Sequence, residues 1–321
     1  MIGYVRTALG DIEPSALGPT DYHEHLFQES PLLPGEELDD EAASGREAQL
    51  LRAAGITGMV DATPLGLGRN PAAAARISAA ADLHVVMATG VHHGGHYPDQ
   101  PDLRRHTSQQ LAGLFTDELL HGMRQDETDP GEMALSPAGR PVMAGLIKAG
   151  IGYWSISDFE RRVLEGVGAA HVDTGAPVMV HLEHGSAAIE VLDLLERLGV
   201  QADRVVLAHI DRNPDPGLHI DLAQRGAYLG YDGMARTREW PESILLQCLE
   251  SVAEAGAADR LLLGGDVARR SRYIGYGGMP GMAYLPTRFI PRVARLGHPN
   301  LVHTLLVHNP ASFFCWKQKT H

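Results

Sequence analysis

Six residues of types that bind divalent metal ions or move protons follow or close short apolar runs in this chain. His23 and His25 flank Glu24 in DYHEHL, Lys148 lies in GLIKAG, and His181 in VMVHLEHG. His209 closes VVLAH, and Asp266 ends LLLGGD. If residues 20–25 form a strand, positions i and i+2 face the same side. Both imidazoles can then point into an interior while Glu24 points away. Singly, each residue has a plainer reading. A strand-end histidine is more often a hydrogen-bonded core or surface residue, a buried lysine can pair with a carboxylate, and Gly-Asp is often a turn. Together, four imidazoles, a carboxylate and a lysine at one end of one set of strands predict a site for two divalent metal ions.

Such a gathering needs elements that bring distant residues together. Apolar runs rich in Val, Ile and Leu predict eight strands: Thr20–His25, Ile56–Thr63, His84–Gly90, Met143–Ala149, Val178–His181, Val205–His209, Ala227–Tyr231 and Leu261–Gly265. Helical stretches alternate with them, which implies parallel βα units. Eight such units in 321 residues favour an α/β fold of the (β/α)8 barrel type, as a single domain over residues 1–321. In that fold the active site lies at the C-terminal ends of the strands, where the six residues fall. Ser157 and Glu160 read as a capping box opening a helix that Gly175 ends. Ser186 is expected to cap the helix containing IEVLDLLERLG. Residues from about Asp102 to Arg124 read as helical, followed by a polar loop, ETDPGEMALSPAGR, and the stretch from Asn309-Pro310 onward as a capping helix.

Composition narrows the function. The formal net charge is −13, which argues against a nucleic-acid binder, since those carry a basic face. Two widely separated cysteines, Cys248 and Cys315, suggest a reducing, cytoplasmic setting rather than a disulfide framework. The first residues lack the pattern of a signal peptide, and no apolar run is long enough to span a bilayer. A small-molecule substrate is the expected partner, with a homodimer left open.

The motifs DYHEHL, GLIKAG, VMVHLEHG, VLAHIDRNPD and LLLGGD, in that order, resemble the phosphotriesterase-like family of the amidohydrolase superfamily. The resemblance runs from Thr20 to the NPASFF segment. It implies that His23, His25 and Asp266 bind the more buried metal, His181 and His209 the more exposed one, and that Lys148 is carboxylated and bridges both. The last point has a physical basis: an ammonium beside two dications would be repelled, whereas a carbamate is an anionic oxygen ligand. Zinc is the expected metal, with manganese, cobalt or iron as alternatives. A water shared by two such ions is acidified toward neutral pH, and Asp266 is placed to take its proton and pass it to the leaving group.

The loops bear on substrate. YDGMARTREW holds Arg236 and Arg238, and DVARRSRYIGYGGMPG holds Arg269, Arg270 and Arg272. Arginines gathered near one barrel face suit phosphate or carboxylate; the plainer reading of any single one is a solvated surface charge. The pattern resembles the branch of the family that hydrolyses phosphorylated sugar lactones, with Arg238, Arg269 and Arg272 as expected phosphate ligands. Alternatives within the family are a phosphotriesterase and a neutral lactone or ester hydrolase. A Schiff-base aldolase would also use a barrel lysine but needs no such ligand set. A non-catalytic metal-containing binding barrel is the reading from another class. His92, His93 and His96 in GVHHGGHYPD could hold a further metal but more plausibly line the substrate pocket. Tyr273 and Trp154 are weaker candidates for its lining.

Overall fold

Successive residues of the central strands serve two different cores, and this alternation sets the architecture. On the strand Val178–Leu182, Val178, Val180 and Leu182 belong to a large outer core, while Met179 belongs to a small inner one. Val206 and Ala208 likewise face inward, and Val205 and Leu207 outward. A sheet buried on both faces must be closed or covered by helices; here it is both.

The computed structural model describes residues 3–126 and 129–316. A short hairpin, β1 (Tyr4–Thr7) and β2 (Gly10–Ile12), precedes the strands β3 (Thr20–Glu24), β4 (Gly58–Asp61) and β5 (His84–Val91). A second hairpin, β6 (Arg124–Asp126) and β7 (Asp129–Met133), is followed by β8 (Leu146–Ile151), β9 (Val178–Leu182), β10 (Val205–Ala208), β11 (Tyr228–Tyr231), β12 (Leu261–Leu263) and β13 (Cys315–Trp316). Eight of these, in the order β3-β4-β5-β8-β9-β10-β11-β12, pair in parallel. The seam between β12 and β3 is closed from the loop side. The Asp266 N–H donates to His23 O at 2.9 Å, that of Gly265 to Asp21 Oδ1 at 3.2 Å, and that of Val267 to Glu24 Oε2 at 3.0 Å. The (β/α)8 barrel expected from the sequence is therefore present, with helices such as Glu41–Ala53, Asp158–Thr174 and Ala188–Arg197 packed outside it.

The inner core is plugged at the far end by Phe313 and Phe314, which pack with Tyr22, Val60, Val86 and Met179. There β1 pairs with β13, Val5 opposite Cys315, so both ends of the described chain close that end of the barrel. The C-terminal stretch is thus a short helix, Asn309–Phe313, followed by a strand, and not a helix alone.

Three further local expectations are corrected. The helix read from Asp102 to Arg124 is two helices, Pro101–Arg105 and Ser108–Leu120, because Thr107 and Gln110 form a capping box that starts the second. Of the residues read as a polar loop, 129–133 form β7, paired with β6. Ser186 does not cap the helix Ala188–Arg197. Its hydroxyl donates to Glu183 O and accepts from the Trp154 N–H, and the position before the helix is Ala187 in the left-handed region. The Ser157–Glu160 capping box and the left-handed Gly175 are as expected. Among the described residues no helix is long and apolar enough to cross a membrane.

Candidate active site

The strand alternation that builds the inner core also delivers the site. Lys148 lies two residues beyond inward-facing Leu146 on β8, and His181 two beyond Met179 on β9. His23 directly follows inward-facing Tyr22, where the register of β3 against β4 is irregular between Asp21 and Glu24, and His25 stands one residue past the end of β3. His209, one residue past inward-facing Ala208, would point outward by simple alternation, whereas Asp266 keeps the inward parity of Leu262. Both adopt left-handed backbone, φ 65° and 40°, which in His209 re-aims the ring at the barrel mouth. Non-glycine residues rarely adopt this conformation and, where they do, often serve a site. All six residues are buried.

The structure brings them together. Lys148 Nζ lies 3.0 Å from His23 Nε2. Asp266 Oδ1 is 3.5 Å from His25 Nε2 and 3.8 Å from His23 Nε2, and Asp266 Oδ2 is 3.8 Å from His209 Nδ1. The rings of His23 and His209 are 5.0 Å apart, and those of His181 and His209 4.5 Å.

Hydrogen bonds fix which nitrogen of each ring faces the centre. His25 Nδ1 lies 2.7 Å from Thr63 Oγ1, whose own proton goes to Phe27 O, so the ring must donate from Nδ1. His23 Nδ1 and His209 Nδ1 donate to the two oxygens of one carboxylate, Asp232, at 3.1 and 2.6 Å. His181 donates from Nε2 to Glu183 Oε2 at 2.9 Å. The lone pairs left over are Nε2 on His23, His25 and His209, and Nδ1 on His181. Metal-binding histidines have this arrangement: the far N–H is held by an acceptor, and the near nitrogen is free to ligate. His23, His25 and Asp266 also offer ligand atoms within 4.8 Å of one another. The donor set therefore fits a divalent metal centre.

Electrostatics point the same way. Burial, with Lys148 nearby, lowers His23 to about 3, and burial likewise holds His181 and His209 below the usual histidine value. The rings are neutral at pH 7, the ligating form. Burial also lowers Lys148 to about 8, against the pull of Asp266 and Asp232. Burial alone would raise the carboxyls of Asp232 and Asp266. For Asp232 the His209 and His23 rings outweigh it, and for Asp266 Arg236 and His23 do, so both sit well below the ordinary range.

Sequence reasoning missed Asp232 and Arg212. Asp232 follows β11 with no motif around it, and its importance lies in meeting β3 and β10 residues in space. Tyr22 Oη also donates to it. That tyrosine passes over Gly230, where a Cβ would sit 2.1 Å from the hydroxyl. Arg212 lies in the IDRNPD motif next to His209 and holds Asp266 Oδ2 at 3.1 Å, and Arg236 joins it there.

A cavity of about 200 Å³ opens over these groups. Arg212, Arg236 and Arg269 line it, with Leu32, Leu33, Pro64 and Leu67 as its apolar wall and His92, His93 and His96 beyond β5. Of the three arginines expected to hold phosphate, Arg269 reaches this cavity. Arg238 and Arg272 line an adjoining one, which shares Arg236 and Arg269 with the first. Tyr273 is fully buried, donates to His25 O at 2.6 Å and lines neither cavity. Trp154 is 63% exposed and lines an adjoining cleft, which shares Glu183 and Arg212 with the first cavity.

Residues 3–314 match the Phosphotriesterase family. A phospho-furanose lactonase of Mycoplasmopsis synoviae is 28% identical, over 98% of this chain and 93% of that protein. An N-acetyltaurine hydrolase of Danio rerio is also 28% identical, over 98% and 99%. The crystal structure of a lactonase from Listeria monocytogenes superposes with a TM-score of 0.86 at 27% identity, covering 98% of this chain and all of that one.

Proposed function

The chain belongs to the phosphotriesterase family, and from that premise we propose that it is a metal-dependent hydrolase that opens phosphorylated sugar lactones. One observation carries the reading: four histidines, on or just beyond three strands, are each hydrogen-bonded so that a lone pair is left free near Asp266. His23, His25 and Asp266 would hold one divalent ion, His181 and His209 a second, and Lys148, as a carbamate, would bridge them. Two ions there supply Lewis acidity and an acidified water near neutral pH. Zinc suits so many imidazole donors, with manganese, cobalt or iron as alternatives.

The chain's own groups do the rest. Asp266, ionised at neutral pH, takes the proton from the attacking water and returns it to the leaving oxygen. The low value of Lys148 leaves a share of neutral amine near pH 8, the form that can take up carbon dioxide. The arginines offer planar forks to a phosphate remote from the reacting carbonyl. Binding energy from that remote group can orient the ring. Arg236 and Arg269, which line both cavities, join Arg238 and Arg272 as candidates. Similarity to a phospho-furanose lactonase supports this substrate class. Two free cysteines, Cys248 and Cys315, fit a cytoplasmic setting.

The test is turnover by metal-loaded protein of a furanose lactone with and without its phosphate. A charged hydrogen bond is worth roughly 1.5–3 kcal/mol. Arg238→Ala, Arg269→Ala or Arg272→Ala should therefore cost about ten- to a hundredfold in kcat/KM on the phosphorylated lactone and little on the other. Equal rates for both lactones in every variant would leave a neutral lactone or ester as substrate.

A further inference from the structure

His92, His93 and His96 stand close together on the wall of the same cavity, ring centroids 4.0–4.6 Å apart. Spacing alone would make them a third metal site. The hydrogen bonds argue against it. A backbone N–H can only donate, and that of His93 donates to His92 Nδ1 at 2.8 Å. The Gly95 N–H donates to His93 Nδ1 at 3.2 Å. A neutral ring that accepts at Nδ1 carries its proton on Nε2. This is the reverse of His23, His25 and His209, whose Nδ1 atoms donate. A metal at Nε2 of His92 or His93 would have to displace that proton while Nδ1 still faced a donor, leaving an unsupported imidazolate.

We propose that His92 and His93 are a pair of fixed Nε2–H donors that bind hydroxyl or carbonyl oxygens of the substrate and make the pocket select polyhydroxylated rings. The proposal rests on the lactonase reading and adds what recognises the part of the ring that carries no charge. Among the described residues neither Nε2 has a hydrogen-bond partner. Glu183 Oε2, 3.9 Å from His93 Nε2, is beyond that reach. Two donors without acceptors on a cavity wall are a cost unless a ligand or water meets them. The segment is also held rigidly. The His92 N–H donates to Tyr97 Oη at 2.8 Å, Tyr97 Oη to Leu65 O at 3.0 Å, and the Gly94 N–H to Glu160 Oε1 at 3.3 Å. Beneath them lies Gly150 on β8, where a Cβ would sit 2.9 Å from both His92 Nδ1 and the His93 nitrogen. The glycine permits the close packing that sets the two rings. Neutral donors suit neutral oxygens, so these rings complement the arginines rather than duplicate them. His96, whose Nδ1 lies 2.8 Å from Ser30 Oγ, is not part of the pair.

Two measurements test this. The first is nitrogen NMR of histidine-labelled, zinc-loaded protein, with His92→Gln and His93→Gln assigning the signals. Both rings should show an unprotonated Nδ1 and a protonated Nε2. An Nδ1–H on either ring, or a zinc equivalent lost in these variants, overturns the proposal. The second compares the 5-phosphate of ribono-1,4-lactone with that of its 2,3-dideoxy counterpart. His93→Phe should lower kcat/KM on the hydroxylated lactone by about three- to tenfold, the usual worth of one neutral hydrogen bond, and leave the dideoxy lactone nearly unchanged. His93→Gln, which keeps an N–H donor, should retain the preference, and Gly150→Ala should weaken it. Turnover of both lactones with no such difference defeats the donor pair and leaves the lactonase reading standing. Turnover of neither defeats the lactonase reading. The pair is then judged by the ring tautomers and by ribonate, which must shift the Nε2–H signals in the unmodified protein and not the His92 or His93 signals left in His93→Phe.

Discussion

A single carboxylate can decide how two imidazoles face. Asp232 accepts from His23 Nδ1 and His209 Nδ1 with opposite oxygens, at 3.1 and 2.6 Å, and from Tyr22 as well. An asparagine there offers one acceptor and one donor, so one of the two rings must lose its partner or reverse its tautomer. Loss of such a support typically costs 10–100-fold in metal affinity. Asp232→Asn should weaken zinc binding by about that factor in chelator competition, with the far-ultraviolet circular dichroism unchanged. Asp266→Asn should behave differently. It removes the proton acceptor, so kcat should fall by roughly 10²–10⁴ even at saturating metal. If Asp232→Asn binds zinc as tightly as the parent, the carboxylate is a packing residue and the orientation argument fails. None of this could be read from the chain: Asp232 has no motif, and the partners that give it meaning lie 209 and 23 residues away.

At the scale of elements, the loop after β10 must hold both His209 and Arg212, and His219 is its anchor. His219 Nε2 donates to Ile210 O at 3.1 Å and Asn213 O at 3.0 Å, and its Nδ1 lies 2.6 Å from Tyr231 Oη. Burial lowers its value to about 4 from the ordinary 6.5, although both carbonyls oppose the shift. Between pH 6.5 and 4 the unfolded chain thus binds a proton that the folded one does not. Stability from this group is complete above 6.5 and is lost as pH falls toward 4. At 1.36 kcal/mol per unit the total is roughly 3 kcal/mol. His219→Gln should be less stable at pH 7 but lose less on acidification, seen as a shallower slope of Tm against pH over that window. A parallel slope would place the acid sensitivity in other buried histidines. Sequence legibility differs sharply at this scale. The barrel strands could be read because burial on both faces demands continuous apolar runs. The hairpin β1–β2 could not, being two short strands whose stability comes from pairing β1 with β13 across the whole chain. The second hairpin, β6–β7, was masked by polar composition. The six candidate ligands were legible because strand ends in this fold converge. The ring tautomers and the contact of Arg212 with Asp266 were not, because both depend on contacts between loops.

The whole molecule sets a field against its own pocket. The formal charge is −13, yet the cavity mouth carries Arg212, Arg236 and Arg269, with Arg238 and Arg272 adjoining. A chain of this length has a radius of gyration of about 20 Å, while the Debye length is ~30 Å at 0.01 M salt and ~8 Å at 0.15 M. In dilute salt an approaching dianion feels the summed negative charge of the surface. At physiological salt that charge is screened, and the arginines within a few ångströms of the bound phosphate still act. The two effects predict a curve with a maximum. For a phosphorylated lactone, kcat/KM should rise as salt increases from about 0.01 M toward 0.1 M, and fall again near 1 M, where the Debye length of ~3 Å approaches contact distance. An unphosphorylated lactone should show neither limb. Rates measured by stopped-flow across that range, with a neutral salt that does not bind the metals, check both. A steady fall from the lowest salt would mean that the arginine patch governs the approach even at long range, and a flat line would mean that the phosphate never meets the arginines at all.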